Sequence, residues 1–401
     1  MKVLVVGGGL QGLCSAQVLV ERGHDVTLLE ALDGVGLETS FANGGLITPS
    51  RCESWNGPDA VSHLLRSIFR TSSAFRLRPK AIPSLIFWGL GFLINSTHSR
   101  RTATLKANFE LASLSKESTN ELRSRLGLKF AHRSAGILNV FREGESVAAI
   151  RDQAEFLSRL GMRFEELDVD GVTAIEPTLK HARAPLKGAF YFPDDESGDA
   201  HLFCLELQRE IVSAGAIVET GTRVIRVAIE KGKVIGTETG HGLARADAIV
   251  IAAGNGSPAL VRPLGLSLPI KPAKGYSLTL DLDGIDERPG TPIIDETLHA
   301  AITPMDKRLR LTSTVEFSGF DKRIDSERII DLLSLLGELY PRIASQIDRG
   351  QARPWAGLRP VSSDGRPFIG PSKSCRASTS MQATGHWAGP WQWARRSCWR
   401  T

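Results

Sequence analysis

The chain has 401 residues, so two domains or one elaborated α/β unit are expected. With 42% apolar and 23% charged residues, the composition excludes long disorder, collagen-like repeats and coiled coil. The net charge of +5 is unevenly distributed, because residues 374–401 hold four arginines and no acidic residue, which leaves 5 − 4 = +1 for the other 373 residues. A nearly neutral body gives no reason to expect a nucleic-acid partner.

Cysteines are sparse in the body of the chain. Cys14, Cys52 and Cys204 have no metal-ligand spacing, so neither a disulfide framework nor a metal site is expected. Met1 and Lys2 run directly into an apolar segment that glycines follow, which does not match a signal peptide. We therefore expect a protein of a reducing compartment, the cytoplasm.

The first thirty residues are typical of a β-α-β unit. Residues 3–6 form a short apolar run, residues 13–22 have helical composition, and residues 26–30 read as a second buried strand. A glycine-rich turn joins the first strand to the helix. This order predicts a Rossmann-like beginning.

Three glycines and a glutamate in this unit have the spacing of a dinucleotide site. Gly7 permits the tight turn, Gly9 lets a pyrophosphate approach the backbone, and Gly12 lets the helix pack closely on the strand. The start of the helix offers free N–H groups and the positive end of its dipole to the phosphates. Glu30 follows Gly12 by 30 − 12 = 18 residues and can accept the ribose hydroxyls, which favours FAD or NAD over a 2′-phosphorylated cofactor.

The rest of the chain alternates between helical and strand-like patterns. We predict an α/β protein in which a Rossmann-like FAD-binding domain is interleaved with a substrate domain built on an antiparallel sheet. The predicted FAD-binding domain comprises residues 1–80, 195–262 and 350–373, the substrate domain comprises residues 81–194 and 263–349, and residues 374–401 form an aberrant tail. The predicted elements are a mostly helical stretch over 62–160, strands at 136–142, 186–192, 216–219, 224–230, 234–239, 246–252, 275–282, 299–303 and 308–313, and a helix over 326–340.

One long apolar run stands out at residues 82–94. Its 13 residues are fewer than the roughly 20 that a membrane-spanning helix needs. Two interpretations stay open: a buried helix or loop, and a surface that dips into a membrane.

Several motifs together resemble a known family. The chain resembles the FAD-dependent amine and amino-acid oxidoreductases of the D-amino-acid oxidase superfamily, with the bacterial D-amino-acid dehydrogenases as the most similar group. The segments that carry the resemblance are LETSFANGGLITPS (37–50), DESGDAHLF (195–203), ADAIVIAAG (246–254), KGYSLT (274–279) and WAGLRPVSSDGRPFIGP (355–371).

The resemblance implies FAD as the cofactor, with its ADP half on the first β-α-β unit and its flavin ring between the domains. It implies no catalytic side chain and no metal, since the flavin carries the redox chemistry. By matching motif, the ADP half would be held by Gly7, Gly9, Gly12 and Glu30, with Val224 near the adenine and Gly254 near the pyrophosphate, and the flavin would lie against Ser40, Asn43, Gly44 and Gly45.

For the substrate, the resemblance implies a role for Arg359 in the GLRP motif. A bidentate guanidinium fixes the carboxylate of an amino acid while its Cα–H points at flavin N5. Tyr276 in KGYS either faces the substrate or is a buried tyrosine bonded to the backbone. Structural roles are expected for Asp199 and His201.

The implied reaction is the oxidative deamination of D-amino acids, by hydride transfer to flavin N5, to an imino acid that hydrolyses to a 2-oxo acid and ammonia. The implied electron acceptor is a quinone or the respiratory chain, which gives the run at residues 82–94 a purpose in peripheral contact with the inner membrane. Oxidation of glycine, sarcosine or hydroxyproline on the same fold, and nucleotide binding without turnover, are the alternatives.

The tail departs from the family after residue 371, where a strand, a GHG turn and a helix are expected. When the third base of each codon is taken as the first base of the next, Met381-Gln382 must yield Ala and Trp387-Ala388 must yield Gly. One set of synonymous codons then gives KLPGLYLNAGHGALGWTMAMGAPELLAD, which restores that ending. We therefore expect a single-base slip near Lys373, a frameshifted tail of 28 residues and a catalytically impaired chain.

Overall fold

A computed structural model describes residues 1–57, 75–142, 147–371 and 379–383. Most of the predicted tail lies outside the described residues. The helices, in chain order, are α1 Leu10–Glu21, α2 Ile82–Ile94, α3 His98–Leu126, α4 Val147–Ser158, α5 Val169–Ile175, α6 Ala200–Ser213, α7 Ser257–Val261, α8 Ser326–Leu339 and α9 Pro341–Gln346.

The strands belong to two main sheets and two small ones. In chain order they are β1 Lys2–Val6, β2 Asp25–Leu29, β3 Leu46–Ile47, β4 Phe75–Leu77, β5 Ile137–Arg142, β6 Glu165–Leu167, β7 Leu186–Phe192, β8 Glu196–Ser197, β9 Ile217–Glu219, β10 Val224–Glu230, β11 Lys233–Thr239, β12 Gly242–Arg245, β13 Ala248–Ile251, β14 Ile270–Asp281, β15 Ile293–Asp295, β16 Ala300–Met305, β17 Arg308–Phe317, β18 Arg353–Ser362, β19 Phe368–Pro371 and β20 Thr379–Ala383.

The first main sheet has the strand order β19-β20-β13-β1-β2-β9 and is parallel except at β19. Its central strands β1, β2 and β13 are almost completely buried. Helices α1 and α6 cover one face, where Leu13, Leu28 and Phe203 share a core. Continuous apolar strands such as β1 are typical of a parallel sheet that is covered on both faces. The predicted Rossmann-like unit is confirmed.

The second main sheet has the order β18-β14-β17-β16-β15-β5-β7-β6, with β4 beside β17. Its pairs are antiparallel except β15 with β5 and β17 with β4. The predicted α/β class with a largely antiparallel second sheet is confirmed. Strands β4 and β18, which the predicted boundaries assign to the FAD-binding domain, pair within this second sheet, and the boundaries themselves stay a prediction.

A β-bulge changes the direction of side chains at the end of β17. Tyr276 of β14 is opposite Ser313 and Lys274 is opposite Glu316, so β17 has one extra residue between these pairs. Thr314 lies there with a φ of 72°, in the left-handed region that β-branched residues rarely adopt. The bulge turns Glu316 towards Tyr276 and Lys274, while Phe317 on the other face joins the core around α2.

Helix α2, which covers the 13-residue apolar run, packs on the second sheet mainly through Trp88. Trp88 is buried, donates a hydrogen bond from Nε1 to the carbonyl of Val361 at 3.0 Å, and packs on Phe317. The outer face of α2 is exposed and apolar, and Phe87 is 88% exposed. No helix among the described residues is long and apolar enough to cross a membrane.

Candidate functional site

A cavity of about 1290 Å³ runs from the first β-α-β unit to the second sheet. It exceeds the volume of roughly 300–1,000 Å³ that is typical of small-ligand pockets. One end is bordered by the glycine turn and by residues 222–225, and the other by residues 43–46 and Arg359. The cavity therefore has room for a dinucleotide together with a small substrate.

The glycine turn is built as the motif predicts. Gly7 has a φ of 108°, and a Cβ atom there would lie 2.5 Å from the carbonyl oxygen of Ala252. A Cβ on Gly12 would collide with the carbonyl of Gly7, so the start of α1 packs directly against the turn. Gly7 and Gly9 border the cavity, and beside them the first turn of α1 offers its backbone N–H groups to a phosphate.

Glu30 follows β2 and borders the cavity beside the turn. Its Oε2 accepts a hydrogen bond from the backbone N–H of Gly8 at 2.6 Å, and its Oε1 accepts one from Leu32 at 2.9 Å. Each carboxylate oxygen has a second lone pair, so both can still accept ribose hydroxyls. Val224 and Gly254 border the same end, and Gly254 has a φ of 51°.

The loop before β3 contributes Ser40, Asn43, Gly44 and Gly45 to the wall of the cavity. Asn43 Oδ1 accepts a hydrogen bond from the N–H of Gly45, and the hydroxyl of Thr303 donates one to the carbonyl of Gly44 at 2.8 Å. A Cβ on Gly45 would collide with Met305. These contacts hold the loop on the second sheet.

Ser40 connects this loop to helix α1. Its Oγ accepts a hydrogen bond from the N–H of Leu10 at 3.4 Å. All ten residues that the sequence predicts for the cofactor are thus gathered along one cavity, nine of them in its wall and Gly12 directly behind it.

Two polar residues near the loop, the buried Arg310 and the half-buried Asn255, were not predicted from the sequence. Arg310 donates hydrogen bonds to the carbonyl of Asn43 at 3.3 Å and to the hydroxyl of Thr279 at 3.1 Å. Asn255 lies in the cavity wall and donates to the carbonyl of Leu358, while its buried Oδ1 has no hydrogen-bond donor among the described residues.

Arg359 lies on β18 and borders the cavity together with Asn43 of the loop before β3. Burial disfavours the charged form and lowers the pKa of its guanidinium to about 10. No described residue accepts a hydrogen bond or forms an ion pair with this side chain. A half-buried cation without a counterion among the described residues favours an anion in the cavity beside it.

Tyr276 occupies a different position. It is buried, and its hydroxyl donates a hydrogen bond to Glu316 at 2.9 Å. Burial, followed by this carboxylate, raises the pKa of the phenol. The residue borders a separate void of about 20 Å³ next to Arg359, and the wall of the main cavity does not include it.

Asp199 and His201 lie at the start of α6. Asp199 caps the helix by accepting hydrogen bonds from the N–H groups of His201 and Leu202, and it forms an ion pair with Arg308 at 2.9 Å. His201 packs against the ring of Phe41. The contacts of Asp199 match the structural role expected for it.

The fold and the cavity define a dinucleotide-binding protein of the Rossmann class, in which the cavity lies at the carboxyl ends of the parallel strands and extends to the second sheet. The family model of FAD dependent oxidoreductases matches residues 2–394, and the chain belongs to this family, with FAD as its cofactor. It is 36% identical over 395 residues to a D-amino acid dehydrogenase of Methylobacterium nodulans, covering 98% of this chain and 92% of that protein.

Two further proteins extend the comparison. A D-amino acid dehydrogenase of Paramagnetospirillum magneticum is 38% identical over 371 residues, covering 92% of this chain and 87% of that protein. The crystal structure of glycine oxidase from Geobacillus kaustophilus superposes with a TM-score of 0.72 at 23% identity, over 97% of this chain and 90% of that one. The latter likeness concerns the fold.

Proposed function

We propose that the chain oxidises D-amino acids to 2-oxo acids and ammonia, with Arg359 holding the substrate carboxylate. The observation that carries this proposal is the guanidinium of Arg359, which borders the cavity and has no hydrogen-bond or ion-pair partner among the described residues. A substrate carboxylate would supply the missing counterion through two parallel hydrogen bonds, which fix both the distance and the plane of the substrate. The relatives at 36% and 38% identity are D-amino acid dehydrogenases, which supports this substrate class.

In this proposal, the residues of the chain bind the substrate and orient it. When FAD is bound, it supplies the acceptor for the hydride that leaves the substrate Cα. Arg359 fixes the carboxylate, and the second sheet covers the reacting carbon and limits the access of water. The product imino acid is hydrolysed in solution, which releases ammonia and the 2-oxo acid.

The residues proposed to contact FAD lie along the cavity. Gly7, Gly9, Gly12 and Glu30 hold the ADP half, and Val224 and Gly254 lie beside it. Ser40, Asn43, Gly44 and Gly45 lie beside the flavin. The domain boundaries given above are part of the same proposal.

The test is the anaerobic flavin spectrum of the FAD-loaded chain before and after the addition of D-alanine. We expect D-alanine to bleach the flavin while L-alanine does not, and an Arg359→Met variant to bind FAD but to bleach far more slowly. Bleaching by glycine or sarcosine in preference to D-alanine would favour the glycine oxidase alternative. Bleaching of the Arg359→Met variant at the rate of the unsubstituted chain would contradict the proposed role of the arginine.

A second candidate function is FAD binding without turnover. It is favoured by the composition of residues 374–401, which contain four tryptophans and four arginines but no Leu, Ile, Val or Phe. Such a segment has no apolar periodicity for a closing helix. Retention of FAD without bleaching by any amino acid would support it.

We further propose that the electrons pass to a quinone and that α2 makes peripheral contact with a membrane. Residues 75–109 contain six basic and no acidic residues. Arg76 and Arg78 form ion pairs with Asp325. In contrast, Lys80 and Arg100 on either side of α2 are exposed, which suits an anionic lipid surface. The side chains that form the exposed apolar face of α2 are Ile82, Ile86, Phe87, Leu90, Leu93 and Ile94.

A further inference from the structure

A pair of glycines lies beneath two large side chains, the guanidinium of Arg359 and the ring of Trp355. Strands β14 and β18 are antiparallel, and Gly275 is directly opposite Gly357. Trp355, Gly357 and Arg359 are every second residue of β18, so all three lie on the same face of the strand. The glycine pair therefore lies between the tryptophan and the arginine. Neither glycine has the positive φ that would require glycine for its backbone conformation. What the two glycines provide is therefore the space that a side chain would otherwise occupy.

The space above Gly275 is taken by the end of the arginine. A Cβ atom on Gly275 would lie 2.8 Å from Nη2 and 3.0 Å from Cζ of Arg359. The guanidinium thus lies against the bare backbone of β14. A methyl group there would displace it, and the fold would tolerate the change because the displaced atoms end a flexible side chain.

The space above Gly357 is used in the same way by the neighbouring tryptophan. A Cβ atom on Gly357 would collide with the ring of Trp355, which itself lies near Phe41 with ring centroids 6.2 Å apart. The two glycines let one aromatic ring and one guanidinium lie close against the backbone of the same pair of strands. The small void beside Arg359 continues this surface.

We propose that Gly275 is a positioning residue for the substrate carboxylate, because its missing side chain sets the plane of the Arg359 guanidinium. The proposal rests on the proposed function, in which Arg359 binds that carboxylate. A bidentate pair needs both N–H groups in the plane of the carboxylate, so a shifted guanidinium keeps its charge but loses the paired geometry. Gly275 touches neither substrate nor cofactor in this role.

The test is a double-mutant cycle with Gly275→Ala, Arg359→Met and the combined variant in the full chain loaded with FAD. The readouts are the calorimetric affinity for propionate, which has the carboxylate of D-alanine without its amine, and the second-order rate of anaerobic flavin bleaching by D-alanine. Gly337→Ala is the matched control, because a Cβ on Gly337 in α8 would meet nothing within 4 Å.

We expect Gly275→Ala to weaken propionate binding and slow bleaching by about ten-fold or more. Its affinity for FAD should stay near that of Gly337→Ala, and its melting temperature should stay near that of the unsubstituted chain, because an alanine within helix α8 raises stability by itself. In the Arg359→Met background, Gly275→Ala should change either readout less than about two-fold. An equal effect of Gly275→Ala in both backgrounds, or no effect beside a strong loss in Arg359→Met, would overturn the proposal and leave the proposed function standing. Propionate affinity and bleaching that are unchanged in Arg359→Met would instead reject the role of the arginine, and this proposal with it.

Discussion

Tyr276 shows how a motif residue can be near a site without facing it. The KGYS motif favours a tyrosine at the substrate, yet its hydroxyl is taken by Glu316, which also accepts a hydrogen bond from Arg78 at 2.6 Å and forms an ion pair with Lys274 at 3.6 Å. Burial opposes the charge of Glu316, but the bonds from Arg78 and Tyr276 outweigh it and lower the pKa of this carboxyl. The network stabilises the strand end that the bulge creates at Thr314.

A Tyr276→Phe variant distinguishes a structural role of Tyr276, through its hydrogen bond to Glu316, from a role in binding the substrate. The substitution leaves one of the hydrogen bonds of a buried carboxylate unmade, so we expect a loss of about 1–3 kcal/mol in the free energy of unfolding, measured by urea denaturation. We expect the KM for D-alanine to stay within about two-fold, because the phenol is outside the wall of the main cavity. A large rise in KM without loss of stability would support the prediction from the sequence that Tyr276 contacts the substrate.

Helix α2 is the element whose sequence left two interpretations open. Its composition alone cannot separate a buried helix from a membrane-facing one, because both are apolar throughout. The structure shows a helix with Trp88 facing the second sheet and most other apolar side chains exposed. An exposed apolar surface of this kind marks an interaction site in many proteins.

Replacing Ile86, Phe87 and Leu90 together with serine tests the proposed membrane contact. Each side chain that enters the lipid interface contributes about 1 kcal/mol or more, so the triple variant should bind anionic vesicles at least about 100-fold more weakly. The measurement is co-sedimentation with phosphatidylglycerol vesicles, with phosphatidylcholine vesicles for comparison.

The matched control for this variant replaces three other exposed apolar residues, Ile217, Ile229 and Leu243, with serine. The control should sediment like the unsubstituted chain. Equal sedimentation of the α2 variant and the control would contradict the proposal.

Local sequence patterns predict the helices and strands whose residues are neighbours in the chain and follow one regular spacing. The hairpin expected at 224–239 is present as β10 and β11, and the helix expected at 326–340 is α8. The position of the glycine turn and Glu30 beside one cavity also follows from the sequence, because a glycine turn and a carboxylate at this spacing meet at the carboxyl ends of neighbouring parallel strands. The other proposed cofactor residues came from the family resemblance. Asn255, Arg310 and the glycine pair at 275 and 357 could not be found in this way, because their roles depend on which strands become neighbours.

At the scale of the whole molecule, the parallel sheet depends on the end of the chain. Strand β20 lies between β13 and β19, and it pairs with β13 through residues 379–381. Strand pairing uses backbone groups, so many sequences can fill this position. A helix that covers a cofactor also needs an apolar face, and residues 384–401, which contain no Leu, Ile, Val or Phe, do not supply one.

We therefore expect a chain with the restored ending KLPGLYLNAGHGALGWTMAMGAPELLAD after Lys373 to hold FAD more tightly than the 401-residue chain. A ligand that binds only the folded state adds about 2.7 kcal/mol of stability at 100 times its dissociation constant, so the stronger binder gains the larger rise in melting temperature from the same FAD concentration. The measurement compares melting temperatures and FAD absorbance after gel filtration for both chains, with a chain ending at Lys373 as the control. Equal FAD retention and equal D-alanine turnover in the restored and unrestored chains would contradict the inference that the tail impairs the enzyme, and sequencing of the gene across the Lys373 codon tests the slip itself.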